Sequence, residues 1–290
     1  GGSADRIGSL FGSQVQKKGD AGVKKMVAYL FLGVALVVCL YPFVWMFLSS
    51  FKTNREIYQP TLLFPDHFEA DSYLALFSGE YLPFFPYFLN SFVISGFQAL
   101  LATLVTAAAG FAFAKHSFRG KGFLFGVAIL VILIPKQTMA VPLFDWMLLL
   151  GLQGSSWALL LPGIASGLGI VFFTQVFSKI PNELLELARV EGYSVARIFT
   201  LIIPLVFPAL VTYGLLHFIL SWQEHLLPLL LLDDENITLP IALAKLRDSS
   251  HRIPESVGMA AATLSLVPVL VLFAVCFRKM KTALASLSLS

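Results

Sequence analysis

The chain has 290 residues, 57% of them hydrophobic and only 13% charged, with a formal net charge of +3 and a mean hydropathy of +0.81. A soluble domain of this length carries roughly 25% charged residues, so about half the usual charge is missing, and several apolar runs reach the roughly 20 residues that a helix needs to cross a bilayer. The composition excludes an ordinary soluble globule and points to an all-α integral membrane protein; Cys39 and Cys276, both inside apolar runs, support neither a disulfide framework nor a thiolate metal site.

In chain order, residues 1–25 form a polar tail. It begins Gly1-Gly2-Ser3 without methionine, as a scar or a trimmed end would, and no cleavable signal peptide is legible because the first apolar run starts near Met26 and continues too far. A six-span domain is predicted over 26–277, with spans at about 26–48, 88–113, 122–142, 155–177, 203–230 and 257–277, followed by a tail at 278–290. The third span carries Pro135 and Pro142 and is expected to kink near its end, with 143–150 continuing as helix. Pro204 and Pro208 are read as opening the fifth span and Pro228 as its far end. Ala107-Ala108-Ala109-Gly110 and Gly163, Ser166, Gly167 and Gly169 form small-residue faces suited to close helix packing.

Charge sets an orientation. The N-terminal tail, the 114–121 and 178–202 loops and the C-terminal tail hold 14 basic against 5 acidic residues, a net of +9, whereas the remaining connections hold 6 against 12, a net of −6. Basic residues stay on the cytoplasmic side. Both termini and the 178–202 loop are therefore predicted to be cytoplasmic, and 49–87 and 231–256 to be outside.

Residues 183–192, ELLELARVEG, place three glutamates and an arginine between two apolar stretches. Pro181 suits the first turn of a helix, and Glu183 and Glu186 favour its positive end. Leu184, Leu187 and Ala188 recur at i, i+3, i+4 as one apolar stripe. Gly192 is a left-handed stop and Ser194 a cap for a second helix, which runs from about Val195 through Phe199 and Ile202 into the fifth span. The pattern predicts a short helix across the cytoplasmic face, joined by a glycine elbow to a membrane rod. A helix resting on headgroups would instead carry Lys and Arg on its polar face.

The run Glu186-Leu187-Ala188, three residues, then Gly192 resembles the EAA loop of importer-type ABC transporter permeases. In the sugar-import branch that loop reads like EAARIDGAS, then phenylalanine, isoleucine and LPL. Here Leu187 stands where alanine is usual, and Pro204 falls one residue closer to Gly192, a deletion worth about 100° of helix rotation. The resemblance continues from about residue 27 onward. Ser49-Ser50-Phe51-Lys52-Thr53-Asn54, Leu63-Phe64-Pro65, Tyr73, Asn90-Ser91, Phe118-Arg119-Gly120-Lys121, Ile134-Pro135, Leu161-Pro162-Gly163, Ser221-Trp222-Gln223-Glu224 and Ala260-Ala261-Ala262-Thr263-Leu264 follow the family's order and near-correct spacing. The whole is similar to the second permease subunit of carbohydrate-uptake, binding-protein-dependent ABC importers of the maltose type.

That resemblance implies a type I importer permease fold with six transmembrane helices and a cytoplasmic coupling helix, in a bacterial or archaeal cytoplasmic membrane. It implies a homologous second permease, two cytoplasmic ATPases that bind ATP and Mg, and an extracytoplasmic sugar-binding protein as partners. Lipid is expected around the chain, and nucleic acid is not a partner. Glu183, Glu186, Leu187, Ala188, Arg189 and Gly192 would form the ATPase-coupling element. Asp233, Asp234 and Glu235, ahead of the apolar Leu239–Leu243, would meet the binding protein, and the 278–290 tail would contact the ATPase. Small-residue faces could also pack against the second permease.

Polar residues within spans are pathway candidates because lipid penalises them. Trp222, Gln223 and Glu224 offer an aromatic face, an amide and a carboxylate for a sugar; the alternative is an interfacial anchor and a carboxylate reaching water. Lys136 beside Pro135 is read as snorkelling, and His217 as a packed residue. No phosphate-binding GxxxxGK[ST] run and no metal-ligand cluster occur in the sequence, so neither a catalytic site nor a cofactor is expected in this chain. Import of glycerol-phosphate or another polyol, a membrane enzyme acting on lipid-linked sugars, and a passive channel are the competing readings.

Overall fold

The computed structural model describes the backbone of residues 4–59, 61–247 and 253–287, and side chains over 25–59, 61–247 and 253–277. Regular structure among the described residues is entirely helical. Four helices are long and apolar enough to cross a membrane unbroken: α1 (Ala4–Ser49, apolar from Lys25), α4 (Phe84–Lys115), α10 (Val195–Trp222) and α13 (Glu255–Leu287, apolar to Phe277). Two further spans are bent pairs. Helix α5 (Lys121–Leu133) meets at 102° the segment Lys136–Leu149, a 3-10 turn (Lys136–Met139) running into α6 (Ala140–Leu149), and α7 (Trp157–Ile164) meets α8 (Gly167–Ser178) at 40°. The six predicted spans are thus four rods and two broken ones.

The boundaries differ from the predicted ones for local reasons. Helix α1 runs through the expected tail boundary at 25, and α13 continues past 277 to Leu287. In the third span the break falls at Ile134–Pro135, because the proline ring pushes Ile134 into extended backbone (φ −83°, ψ 119°). Pro142 sits in the first turn of α6, where a missing N–H costs nothing. The second half therefore turns away rather than continuing the rod. The fifth span begins at Val195, eight residues before the predicted start, and keeps Pro204 and Pro208 inside an unbroken helix. It stops at Trp222; Pro228 belongs to a separate helix, α11 (Leu226–Leu231).

Helix α4 is the hub. A Cβ at Gly110 would lie 2.5 Å from the Phe173 Cβ and 2.8 Å from the Thr174 nitrogen, so the α4 and α8 backbones touch. The other small residues also pack within the chain: Gly163 against Gln98, Gly167 against the Ala128 carbonyl of α5, and Gly169 against Tyr213 and Thr106. At one end Phe111, Phe173, Phe177, Ile198, Ile202 and Tyr213 form a buried cluster of α4, α8 and α10. At the other end Leu76, Phe84, Phe218, Trp222, Leu246 and Val257 form a second, joining α3 (Asp71–Ser78), α12 (Leu239–Leu246) and α13. Helix α1 packs on α13 and leaves its apolar side chains exposed, as lipid-facing residues are.

The segment after α1, with its one-turn helix α2 (Asn54–Ile57), is a hydrogen-bonded cap. The buried Lys52 donates to the Leu62 carbonyl at 2.6 Å, and Asn54 Oδ1 accepts from Glu255 N at 2.7 Å, fixing the cap to the start of α13. Glu56 accepts from the backbone N–H groups of Asp66 (2.8 Å) and Thr53 (2.7 Å) and from the Thr53 hydroxyl (2.8 Å). These donors, Asp66 first, hold the Glu56 carboxyl below its ordinary 4.5.

Two predictions follow from packing and charge in turn. Gly110→Val should destabilise the protein by about 1–3 kcal/mol through overpacking, read as a lower thermal midpoint in detergent, while Gly126→Val in open space on α5 should leave it unchanged. Because the folded-state pKa of Glu56 is depressed, its stabilisation is present above 4.5 and fades as pH falls through the folded value. Glu56→Gln should therefore lower the midpoint at pH 7, and the two proteins should converge in acid; equal midpoints at pH 7 would remove the carboxylate from the cap.

Candidate functional site

The predicted loop helix exists as α9 (Asn182–Val190), introduced by Pro181 at φ −58°, ψ 138°. Of the predicted apolar stripe Leu184, Leu187 and Ala188, only Ala188 joins the face that the helix buries. Leu185 is 4% exposed and Ala188 packs beside it against the α4–α8–α10 cluster, while Leu184, Leu187 and Val190 are 48%, 64% and 85% exposed. Two stripes overlap in ELLELARV, and periodicity alone does not choose between them. The cluster of Phe177, Ile180 and Ile198 takes Leu185, and the helix turn then carries Leu184, Leu187 and Val190 outward. Glu183, Glu186, Arg189 and Glu191 are exposed as well.

The elbow closes as a Schellman motif. Tyr193 N donates to the Ala188 carbonyl and Gly192 N to the Arg189 carbonyl, both at 3.0 Å, with Gly192 at φ +80°. Ser194 caps α10, its hydroxyl accepting from Arg197 N at 3.4 Å, and the Arg197 guanidinium lies 5.1 Å from the Tyr193 ring centroid. Ile198 and Ile202 share the cluster that holds Leu185. The two helices of the elbow therefore share one core.

At the opposite end of the spans the predicted pathway trio divides. Trp222 is 5% exposed, stacked on Phe218 at 5.7 Å and edge-on to Phe88 at 5.5 Å, with its indole N–H donating to the Ser265 carbonyl at 3.1 Å. It is a core residue with no ring face left for a sugar. Gln223 is exposed. Glu224 accepts from Leu226 N at 3.2 Å and approaches Lys136 Nζ to 3.9 Å, so the break in the third span and the end of the fifth meet as a loose ion pair. Lys136 thus has a partner beyond snorkelling.

The expected acidic tip is exposed and partly tied down. Asp234 pairs with Lys245 at 2.7 Å, whose hydrogen bond and charge hold its carboxyl below the usual range. Asp233 packs over Gly154, and Glu235 lies in the same short turn. The apolar stretch behind it is not free: Leu239, Ile241, Ala242 and Leu246 of α12 are buried. Asn90 donates to the Asn236 and Ile237 carbonyls at 2.6 and 3.1 Å, and Ser91 Oγ accepts from Leu239 N at 2.6 Å. Asn90 and Ser91, read in sequence only as the opening of a span, are the anchors of the 231–256 loop; its residues 248–252 lie outside the described residues.

A family model described as the binding-protein-dependent transport system inner membrane component matches residues 99–280, more than half of the chain. The chain belongs to that family. Among the relatives of this permease, the arabinooligosaccharides transport system permease protein AraQ of Halalkalibacterium halodurans is 30% identical over 249 residues, covering 83% of this chain and 88% of its own. The trehalose transport system permease protein SugB of Mycobacterium tuberculosis is 30% identical over 244 residues, with the same coverage. The probable ABC transporter permease protein YurM of Bacillus subtilis is 28% identical over 249 residues, covering 84% and 82%. A chain of a bacterial ABC transporter involved in the import of the acidic polysaccharide alginate has the same fold, with a TM-score of 0.79 at 21% identity, covering 88% of this chain and 96% of that one. This permease is thus a membrane subunit of an ATP-driven importer with the type I fold, and its family is one of transport subunits rather than enzymes.

The elbow gives a discriminating test. No atom lies within 4 Å of a Cβ built at Gly192, so the cost of a side chain there is backbone strain alone, about 1–2 kcal/mol. Gly192→Asn, which tolerates the left-handed region, should retain most transport, whereas Gly192→Val should insert normally and lose most of it. Equal activity of the two variants would show that the left-handed turn is dispensable.

Proposed function

We propose that α9 is the ATPase-docking helix of a carbohydrate importer and that this chain forms half of its translocation pathway. The observation that carries the reading is the exposed apolar stripe Leu184, Leu187 and Val190, flanked by Glu183, Glu186 and Arg189, on a helix locked by Leu185 and the Gly192 elbow to the spans. Three large apolar side chains in water need a cover, and a separate ATPase subunit supplies one. ATP and Mg belong to that subunit. The +9 against −6 charge asymmetry supports a cytoplasmic α9 and cytoplasmic termini. A homologous second permease completes the pathway, two ATPases drive it, and an extracytoplasmic binding protein approaches the acidic tip Asp233, Asp234 and Glu235 and delivers substrate.

An oligosaccharide is the proposed cargo, because relatives at 30% identity are named for arabinooligosaccharides and trehalose. Gln223 and Glu224 are the pathway residues of this chain. Lys136 does not argue for an anionic cargo, since Glu224 faces it.

Glu186→Lys and Leu187→Asp should leave membrane insertion intact but lower both ATPase co-purification and uptake about tenfold or more, the scale of one lost charge-assisted contact of roughly 1.5–3 kcal/mol. Full uptake by Glu186→Lys with the ATPase still attached would overturn the docking role. A helix merely resting on anionic headgroups would bind better with the added lysine.

A further inference from the structure

The structure ties α9 to the spans at its start as well as at its elbow, through one residue that the sequence offered only as a positive charge. Lys115, the last residue of α4, turns back and donates from Nζ to the Ile180 carbonyl and, at 2.8 Å, to Asn182 Oδ1. These partners lie 65 and 67 residues away in sequence, immediately before and at the first residue of α9. We propose that Lys115 is the positioning residue that makes α9 and α4 a single mechanical body, so that force on α9 reaches α4 and α10 together; this rests on the docking reading above.

Two features set this lysine apart from a topology signal. A lysine serving only to hold the chain's orientation would extend its ammonium into water, whereas this side chain is half-buried and spends two of its donors on another element. It also stands beside the N-terminus of a helix, the end that repels cations. The Ile180 carbonyl, the Asn182 amide oxygen and the nearby Glu183 carboxylate compensate that repulsion. The carbonyl it takes belongs to a residue buried in the α4–α8–α10 cluster, so the bond fixes the entry to α9 against the core. Neighbouring Lys121 closes the following turn in the same manner, donating to the His116 carbonyl at 3.0 Å.

With Lys115 in place, α9 is held at both ends: at its start by α4, at its finish by the Gly192 elbow into α10. Without it, α9 pivots on the elbow and part of its displacement is lost before it reaches α4. The apolar docking stripe Leu184, Leu187 and Val190, with which Lys115 shares no hydrogen bond or ion pair, is unchanged.

The test uses the complete transporter with a nitroxide on Glu191→Cys, exposed at the end of α9 and outside the docking stripe, and compares Lys115→Met, Lys115→Arg and the milder Asn182→Ala. Spectral mobility of the nitroxide is read without nucleotide, together with ATPase co-purification and substrate transported per ATP hydrolysed. Lys115→Met should keep the ATPase bound, loosen the nitroxide and lower transport per ATP at least fivefold. Lys115→Arg, which retains two donors, should restore most of both, and Asn182→Ala should fall between. An unchanged nitroxide spectrum in Lys115→Met, or a loosened one with unchanged transport per ATP, would overturn the proposal. So would loss of the ATPase on purification, which would make the lysine a support of the docking face. Failure of the docking reading itself is separate: it appears in Glu186→Lys, not in the nitroxide.

Discussion

The backbone contact between α4 and α8 at Gly110 is the constraint on which the rest of the structure depends. With no side chain at that position, the Phe173 Cβ and the Thr174 nitrogen come within 3 Å of where a Cβ would stand. The approach brings Phe111, Phe173 and Phe177 into one aromatic cluster, into which Tyr213 and Phe199 of α10 insert. Lipid tails are as apolar as leucine, so nothing hydrophobic drives these helices together; close packing does. Only after that cluster exists is there a pocket for Leu185, and only Leu185 decides which face α9 turns outward.

The two ends of the bundle are built on different principles. At the α9 end the helices are continuous or capped, aromatic side chains fill the core, and the elbow is a Schellman turn with its own cap. At the other end the third span breaks at Ile134–Pro135 and α10 ends at Trp222, and Lys136 and Glu224, just beyond these two stops, meet. Broken backbone at membrane depth is tolerated where protein or water covers it. On the proposed docking role of α9, the stiff end is the one that would receive force and the interrupted end the one that would face cargo.

Much of this was legible in the sequence, for physical reasons. Six apolar runs and their punctuation identify the spans, since a bilayer imposes a length that a soluble core does not. The α9–elbow–α10 sequence was readable because Pro181, Gly192 and Ser194 each have a local backbone consequence. What was not readable was tertiary choice. Overlapping leucine stripes left it open which leucine is buried, and it is Leu185. Trp222 looked like a sugar platform because its partners Phe88, Phe218 and Ser265 come from distant segments. Pro204 and Pro208 looked like the opening of the fifth span, yet they lie inside the one helix that starts, as Ser194 indicates, at Val195. Lys115, Asn90 and Ser91 carried no local signal, because each acts on a carbonyl or an N–H more than 60 residues away.

The central claim is that the outward stripe of α9 is covered by an ATPase subunit. A photoreactive benzophenone placed at Val190 or Leu187 of the assembled transporter, followed by mass spectrometry of the adducts, tests it most directly. The account predicts adducts with the ATPase subunit from both positions and none from a probe at Leu149, which is 85% exposed on α6 at the other end of the bundle. Adducts with lipid alone at Val190 and Leu187 would contradict it.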